Sequence, residues 1–480
     1  MQQIDPIRRR LGVAALSSTL ALCLGAGGCS LVPDYQRPAI DTAPAWNTSS
    51  SGDGPRVAAE LEWWRRFGSP ELDRLMNLGL AGNFNLQAAS ARIAQAEGVA
   101  EVDGAPLWPS LNLVGTQDQS SGVKSSRTHQ VLGQATYELD FWGKNRAAAA
   151  SGTALAGASV LDADTVAITL SASVADTYFQ ILSLRERVQF AEQIAGDARH
   201  VLSLIEVRQA NGAATDLQVQ QQRTAVATFD ATVPALQQQM DVATHALAVL
   251  IGRSPEGFGV GASDLGDLPL PEVRPDLPAT LLQRRPDIRA AEARLISANF
   301  DIGVARAAFF PSISLTAAAG VGSRSLSHFF PPATITDLGA GLLQPLFQGG
   351  QLEGQLKVSR ARQVEMLATY RQTVIAAFQD VEDALSTLEH VRTQAAIETT
   401  AEVAAHKAAD LAQLQYSLGS ADYLTVLSTE QTLFQTRDTL LQLQLQRLQA
   451  IVGLFRALGG GFDAGADLPI PQTKPSGDRS

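Results

Sequence analysis

The chain repeats itself, and the repeat fixes most of what it can fold into. "NLQAASARI" at 85–93 aligns with "DIRAAEARL" at 287–295, placing Arg92 on Arg294 at an offset of 202. "PSLNL" and "PSISL", opened by Pro109 and Pro311, share that offset. "DFWGKN" (140–145) aligns with "LFQGGQ" (346–351) at 206. "NGAATDLQV" (211–219) aligns with "LGSADYLTV" (418–426), and "VLIGR" (249–253) with "RALGG" (456–460), both at 207. Five blocks in one order define two copies of one unit, residues 84–253 and 286–460. Such self-similarity sets the architecture before any local assignment.

Each unit has one grammar. A helical pattern of about 24 residues runs to Pro109 or Pro311, and two alternating segments follow. Proline fixes φ and disfavours helix in the residue before it, so these positions end a helix and open a strand. Then comes a proline-free helical pattern at 143–210 or 350–417, of equal span in the two copies. At ~1.5 Å per residue that is a helix of about 100 Å. A glycine-centred turn at 211–215 or 418–421 leads into a return helix over 216–252 or 422–458. The two shorter helices, stacked, match the long one. Each unit is a helical hairpin rod with a β-hairpin at one end. Pro234 lies inside the first return helix, where copy two has Leu441, and predicts a local bend.

The alternating segments carry one apolar and one polar face. In 129–141 Val131, Ala135, Tyr137, Leu139 and Phe141 alternate with Gln130, Gln134, Thr136, Glu138 and Asp140. In 311–322 Ile313, Leu315, Ala317 and Val321 alternate with Ser312, Ser314, Thr316 and Gly320. The segment 336–347 is less regular, with Leu342, Leu343 and Leu346 on both faces. This pattern suits a half-buried soluble sheet or a membrane barrel with a wet interior. Trp108, Trp142 and the Phe309–Phe310 pair at the helix–strand junctions favour the barrel, because aromatic girdles sit at membrane interfaces. Four strands cannot close a barrel whose smallest members have about eight. Open edges in lipid cost several kcal/mol per unpaired group, so the barrel must be shared; three copies give twelve strands.

Residues 1–28 read as a signal peptide. Arg8, Arg9 and Arg10 precede the apolar run Leu11 to Leu24, and "AGGCS" at 26–30 has lipobox form. Cys29 is then the lipidated first residue of the mature chain, carrying diacylglycerol and an N-acyl chain; an ordinary cleaved signal is the alternative. Ser30 rather than Asp after the cysteine points, by similarity to other bacterial lipoproteins, to the outer membrane. The only other cysteine, Cys23, lies within the signal, so the mature chain holds no disulfide. Residues 29–83 and 254–285 read as a tether and a belt around the middle of the rod, and 461–480 as a partly disordered tail. The net charge is −11, which excludes a basic nucleic-acid surface. No uncharged apolar run after residue 30 reaches the ~18 residues of a membrane helix.

The residues now carry a resemblance. "GCSLVPDYQRP" (28–38), "YELDFWG" (137–143), "LLQRRPDIRAAEARL" (281–295), "ARAAFFPSISLTA" (305–317) and "RALGGGF" (456–462) resemble the outer-membrane factors of tripartite efflux systems, the TolC/OprM family, and its lipoprotein branch most. The resemblance implies a homotrimer: a twelve-stranded barrel in the outer membrane above a helical tunnel through the periplasm. It implies docking to a periplasmic adaptor and an inner-membrane pump. It places adaptor contacts at the turns, here Gly212, Ala213, Gly419 and Ser420. Ala213 and Ser420 replace larger residues common in the family.

A tunnel open to the periplasm would leak, so the resemblance also implies a locked aperture. The matching stretch "LAQLQYSLG" (411–419) is uncharged. Tyr416 matches a family tyrosine, and Asp410, Glu206 and Arg208 are the remaining polar candidates. Each of those charges has a plain reading as a solvated helix residue. The expectation is a gate held by hydrogen bonds and packing. No enzyme is indicated: the six histidines are scattered, "GFGVGASDLG" (257–266) lacks a strand-to-helix context, and no cofactor site is found. Other readings left open are a protein-secretion conduit and a pore-less structural envelope lipoprotein.

Overall fold

The computed structural model describes residues 30–47, 61–120, 126–261, 264–273, 275, 278–323 and 333–463. The signal peptide, Cys29 and the "PQTKPSGDRS" end lie outside the described residues.

After a short helix α1 (Pro70–Gly82), the first unit runs α2 (Phe84–Gly104), β1 (Ser110–Ser120), β2 (Ser126–Leu139), α3 (Lys144–Ala210) and α4 (Asp216–Leu250). The second runs α5 (Pro286–Ala307), β3 (Ser312–Ser323), β4 (Ala333–Leu343), α6 (Gln351–Ser417) and α7 (Tyr423–Ala457). The duplication is visible residue by residue. Helices α3 and α6 each have 67 residues, and α4 and α7 each have 35. Helices α2 and α5, at 21 and 22 residues, are slightly shorter than the pattern suggested. A 3-10 turn, Ala105–Leu107, takes up the end of the first.

Capping sets the boundaries. Asn83 opens α2 by accepting from the Leu86 amide at 3.0 Å. The carboxylate of Asp140 accepts from the Asn145 and Arg146 amides at 3.0 and 2.9 Å, holding the free first turn of α3. Thr215 and Gln218 form a reciprocal capping box at the start of α4. The helix α4 is assigned without interruption through Pro234.

The helices form a sheet-like layer of rods. Helix α3 packs against α2 and α4 on one side and α5 and α7 on the other; α6 packs mainly on α5 and α7. The outer rods are therefore α2 with α4 at one flank and α6 at the other. Burial follows position rather than sequence. Of the duplicated pair, α5 buries fifteen of its 22 residues while α2 buries only Ala89. One stretch of α3 is apolar enough, by length and composition, to cross a membrane. Within the single chain 44% of that stretch is buried.

The main core lies at mid-rod. Trp63, Trp64, Phe67, Leu72, Leu75 and Met76 pack on Tyr178 and Phe179 of α3, Leu247 of α4 and Phe455 of α7. Trp63 stacks on Phe455 at 5.2 Å between ring centroids. Leu265, Val273 and Leu281 from the inter-repeat segment join the same cluster. Residues from both inter-unit segments thus meet in one cluster. Residues 30–47 run along α5: Arg306 donates to the Leu31 carbonyl at 3.2 Å, Arg37 pairs with Glu292 at 2.6 Å, and Trp46 packs edge-on to Phe378.

The four strands form one antiparallel sheet in the order β1-β2-β3-β4. Register aligns the alternating faces. Leu111, Ala135, Ala317 and Leu338 fall on one row, and Ile313 faces Leu139 and Leu342. The opposite face carries Asn112, Gln134 and Thr136 with Ser314 and Thr316. The irregularity of 336–347 resolves: Leu342 lies on the apolar face, Leu343 on the polar face, and Leu346 lies beyond the strand.

Candidate functional site

The residues singled out from the sequence fall at two places: the tip of the rods and the junction between rods and sheet. At the tip, α3 and α6 end identically. The Ala213 amide donates to the Arg208 carbonyl at 2.8 Å, and the Ser420 amide to the Gln415 carbonyl at 2.9 Å. Between them Gly212 and Gly419 take φ of 72° and 73°, the left-handed conformation that closes a helix in this way. Both glycines face open space, where an added Cβ meets nothing within 4 Å. The four turn residues singled out from sequence are thus exposed ends of rods, free of packing duties beyond the cap.

The structure brings two of the four gate candidates together. The guanidinium of Arg208, on α3, lies over the ring of Tyr416, on α6, at 4.6 Å from its centroid. Tyr416 in turn packs edge-on to Tyr423 of α7 at 6.0 Å. Arg208 and Tyr416 are half-buried, whereas Tyr423 is 1% exposed among Val201, Ile205 and Val219. The uncharged stretch 411–419 therefore receives its charge from another helix. The contact is cation–π, worth about 1 kcal/mol at a half-buried site. The other two candidates lie elsewhere. Glu206 pairs with Arg223 of α4 at 2.9 Å, and Asp410 pairs with His406 along the exposed side of α6. Both fit solvated helix charges of small energetic weight.

Sequence reasoning missed Tyr423 and Glu430. Tyr423 follows Tyr416 across the turn, just past the Asp422 N-cap; that spacing was the available signal. Burial, opposed by no partner charge, pushes the Tyr423 hydroxyl up. Two turns along the same face of α7, burial and then Asp197 on α3 push Glu430 to about 7. Phe434 follows, stacked on Phe190 of α3 at 5.9 Å.

At the junction, Pro109 and Pro311 stand where expected, one residue before β1 and β3. Trp142 stacks on Phe310 at 4.7 Å, and its indole N–H donates to the Pro311 carbonyl at 2.8 Å. The aromatic pair thereby ties the second unit's strand to the first unit's helix. Trp108 is 76% exposed. Among the described residues no cluster of three His, Cys, Asp or Glu could hold a metal. What this geometry provides is a wall: a sheet with one apolar and one polar face, continued by a layer of rods with an Arg208–Tyr416 contact between units at its far end.

Comparison with known proteins gives that wall a name. A family model described as "Outer membrane efflux protein" matches residues 75–253 and 277–460, one match per repeat unit. The chain belongs to the outer membrane efflux protein family. It is 38% identical over 463 residues to the pyoverdine export outer membrane protein OpmQ of Pseudomonas aeruginosa, covering 93% of this chain and 97% of that protein. It is 30% identical to the cation efflux system protein CusC of Escherichia coli, covering 92% and 97%. The solved outer-membrane channel OprN superposes with a TM-score of 0.83 at 28% identity, over 90% of this chain and 99% of that one. The protein is thus an outer-membrane efflux channel, an exit duct.

Proposed function

We propose that three copies assemble into one duct that takes small molecules from an inner-membrane pump, through a periplasmic adaptor, to the outside. The observation that carries this reading is the pair of open sheet edges. Strands β1 and β4, each of 11 residues, have a neighbour on one side only. In a bilayer each unpaired backbone group costs several kcal/mol, so the edges must meet those of other copies. Three copies bring twelve strands, enough for a barrel with a wet interior. Native mass spectrometry of the detergent-solubilised protein tests this; three chains per particle are expected, and a monomer would refute it.

The tip turns at Gly212, Ala213, Gly419 and Ser420 are the adaptor-facing surface, supported by their exposure at the rod ends. Arg208 and Tyr416 form the aperture latch, with Tyr423 as its buried seat. The duct conducts passively and needs no cofactor. Cys29 carries the lipid anchor. Supporting this, Leu31, just after it in the chain, lies beside Arg306, which shortly precedes Pro311. That is the level at which the rods give way to the strands. The relatives at 38% and 37% identity are both named for pyoverdine export, which makes a siderophore the first cargo to test. Deletion of the gene should lower release of the cargo, and the intact chain should restore it.

A further inference from the structure

A cavity of about 640 Å³ lies where α5 and α6 meet the feet of β3 and β4, within the ~300–1,000 Å³ usual for small-molecule sites. Helix α5 shows which side of the wall it opens on. Asn299, Gly303 and Arg306 carry the N-terminal segment: Asn299 donates to the Pro33 carbonyl at 2.7 Å, Gly303 lies against Val32, and Arg306 donates to the Leu31 carbonyl. Asp301, Ala305 and Ala308 line the cavity instead. Each follows one of those three by two residues, about 200° around a helix. The cavity therefore opens away from the N-terminal segment. Glu138 and Ser312, from the polar face of the sheet, also line it. In the proposed duct that face is the wet one.

The lining is aromatic and acidic. Phe310, though stacked on Trp142, is still 39% exposed. Most of the charges are matched. Lys144 pairs with Glu138 at 2.9 Å, Asp140 with Arg146 at 3.1 Å, and Arg362 with Glu365 at 3.1 Å. Asp301 is different. One of its oxygens accepts from the Ser151 hydroxyl at 2.7 Å, and no cation among the described residues forms an ion pair with it. Burial pushes its carboxyl above the ordinary range, and Asp103 adds to this against the Ser151 bond and Arg362.

A half-buried acid without a counter-charge, set in an apolar cavity with an open aromatic ring, suits one kind of guest. A cation with an apolar body gives the carboxylate its missing partner, meets the negative face of the ring and covers the apolar walls. An organic anion finds no such partner, because both cations of the lining are already paired. We infer that this cavity is a resting site for aromatic organic cations on their way through the duct, held between Asp301 and Phe310. This rests on the duct reading above and adds to it a place and a ligand class.

Dye binding tests the site. Ethidium, a planar aromatic cation, is titrated into the purified full-length protein in detergent and followed by fluorescence anisotropy. Saturable binding at one site per chain is expected, and fluorescein, an aromatic anion, should bind far more weakly. Asp301→Asn keeps the shape of the side chain and should weaken ethidium about tenfold or more, the usual cost of losing a charged partner. Gln355→Trp, at an exposed position of the lining, should fill the mouth and abolish binding, and it covers the case in which Asp301→Asn fails to fold. Asp410→Asn removes the same charge near the other end of α6 and should leave the affinity unchanged. Binding that does not saturate, equal binding of fluorescein, or equal weakening by Asp410→Asn overturns the site. Channels that conduct current but fail in any of these ways lose the site and keep the duct. Particles that bind ethidium at Asp301 but pass no current lose the duct, and with it the passage on which the cation would rest.

Discussion

At the residue scale the proposed aperture latch rests on few groups. Arg208 over Tyr416 is a contact of about 1 kcal/mol, so losing it should change the open-to-closed ratio roughly fivefold per chain. Tyr416→Ala should make cells admit a large polar dye that the wild-type membrane excludes. Tyr416→Phe keeps the ring and should behave as wild type; leakage through it would show that the hydroxyl, not the ring, holds the latch. Glu430 makes a second prediction. Its carboxyl titrates near 7 in the fold against the ordinary 4.5, owing to burial and then to Asp197. The folded chain therefore binds this proton more tightly than the unfolded chain. Stability from this group is full below about 4.5 and falls as pH rises toward 7. Glu430→Gln should lose that dependence: its thermal midpoint should gain on wild type by a few °C between pH 5 and 8. A constant difference across that range would contradict the assignment. Tyr416 and Arg208 were both candidates in the chain alone, but neither their pairing nor the Glu430 shift was legible there. Tyr416 stood out by resemblance, but its partner lies on a helix of the other unit, and a burial-driven shift needs the packing to be known.

At the element scale the sequence was far more transparent. The long helices, their glycine ends and the strands after Pro109 and Pro311 were all readable, because a duplicated unit states each boundary twice. What escaped was the difference between copies. Helices α2 and α5 share a pattern, yet only α5 is buried, since burial depends on neighbours supplied by the other unit or by another chain. The β4 segment was likewise ambiguous until its pairing to β3 showed where the strand stops. Pro234 offers a test here. An interior proline removes one helical bond, so Pro234→Leu, the residue of the second copy, should stabilise the chain by about 1–3 kcal/mol in denaturant unfolding. Destabilisation would mean that α4 needs the proline where it packs. Gly419→Ala should act oppositely, costing about 1 kcal/mol, because alanine is strained at a φ of 73°.

At the scale of the whole molecule the parts make a continuous wall. The sheet turns an apolar face to lipid, the junction aromatics mark the interface, and rods of about 100 Å carry the wall onward. In the proposed anchoring, Cys29 adds a tether to a body already held by its strands. Cys29→Ser should therefore lose incorporation of labelled fatty acid while still fractionating with the outer membrane; release into the soluble fraction would show that the strands alone do not hold it. Conduction is the property that makes this wall a duct. Purified protein in a planar bilayer should give discrete current steps with long closed periods, and Tyr416→Ala should lengthen the open ones. A preparation of verified three-chain particles that passes no current, with or without that substitution, would contradict the duct.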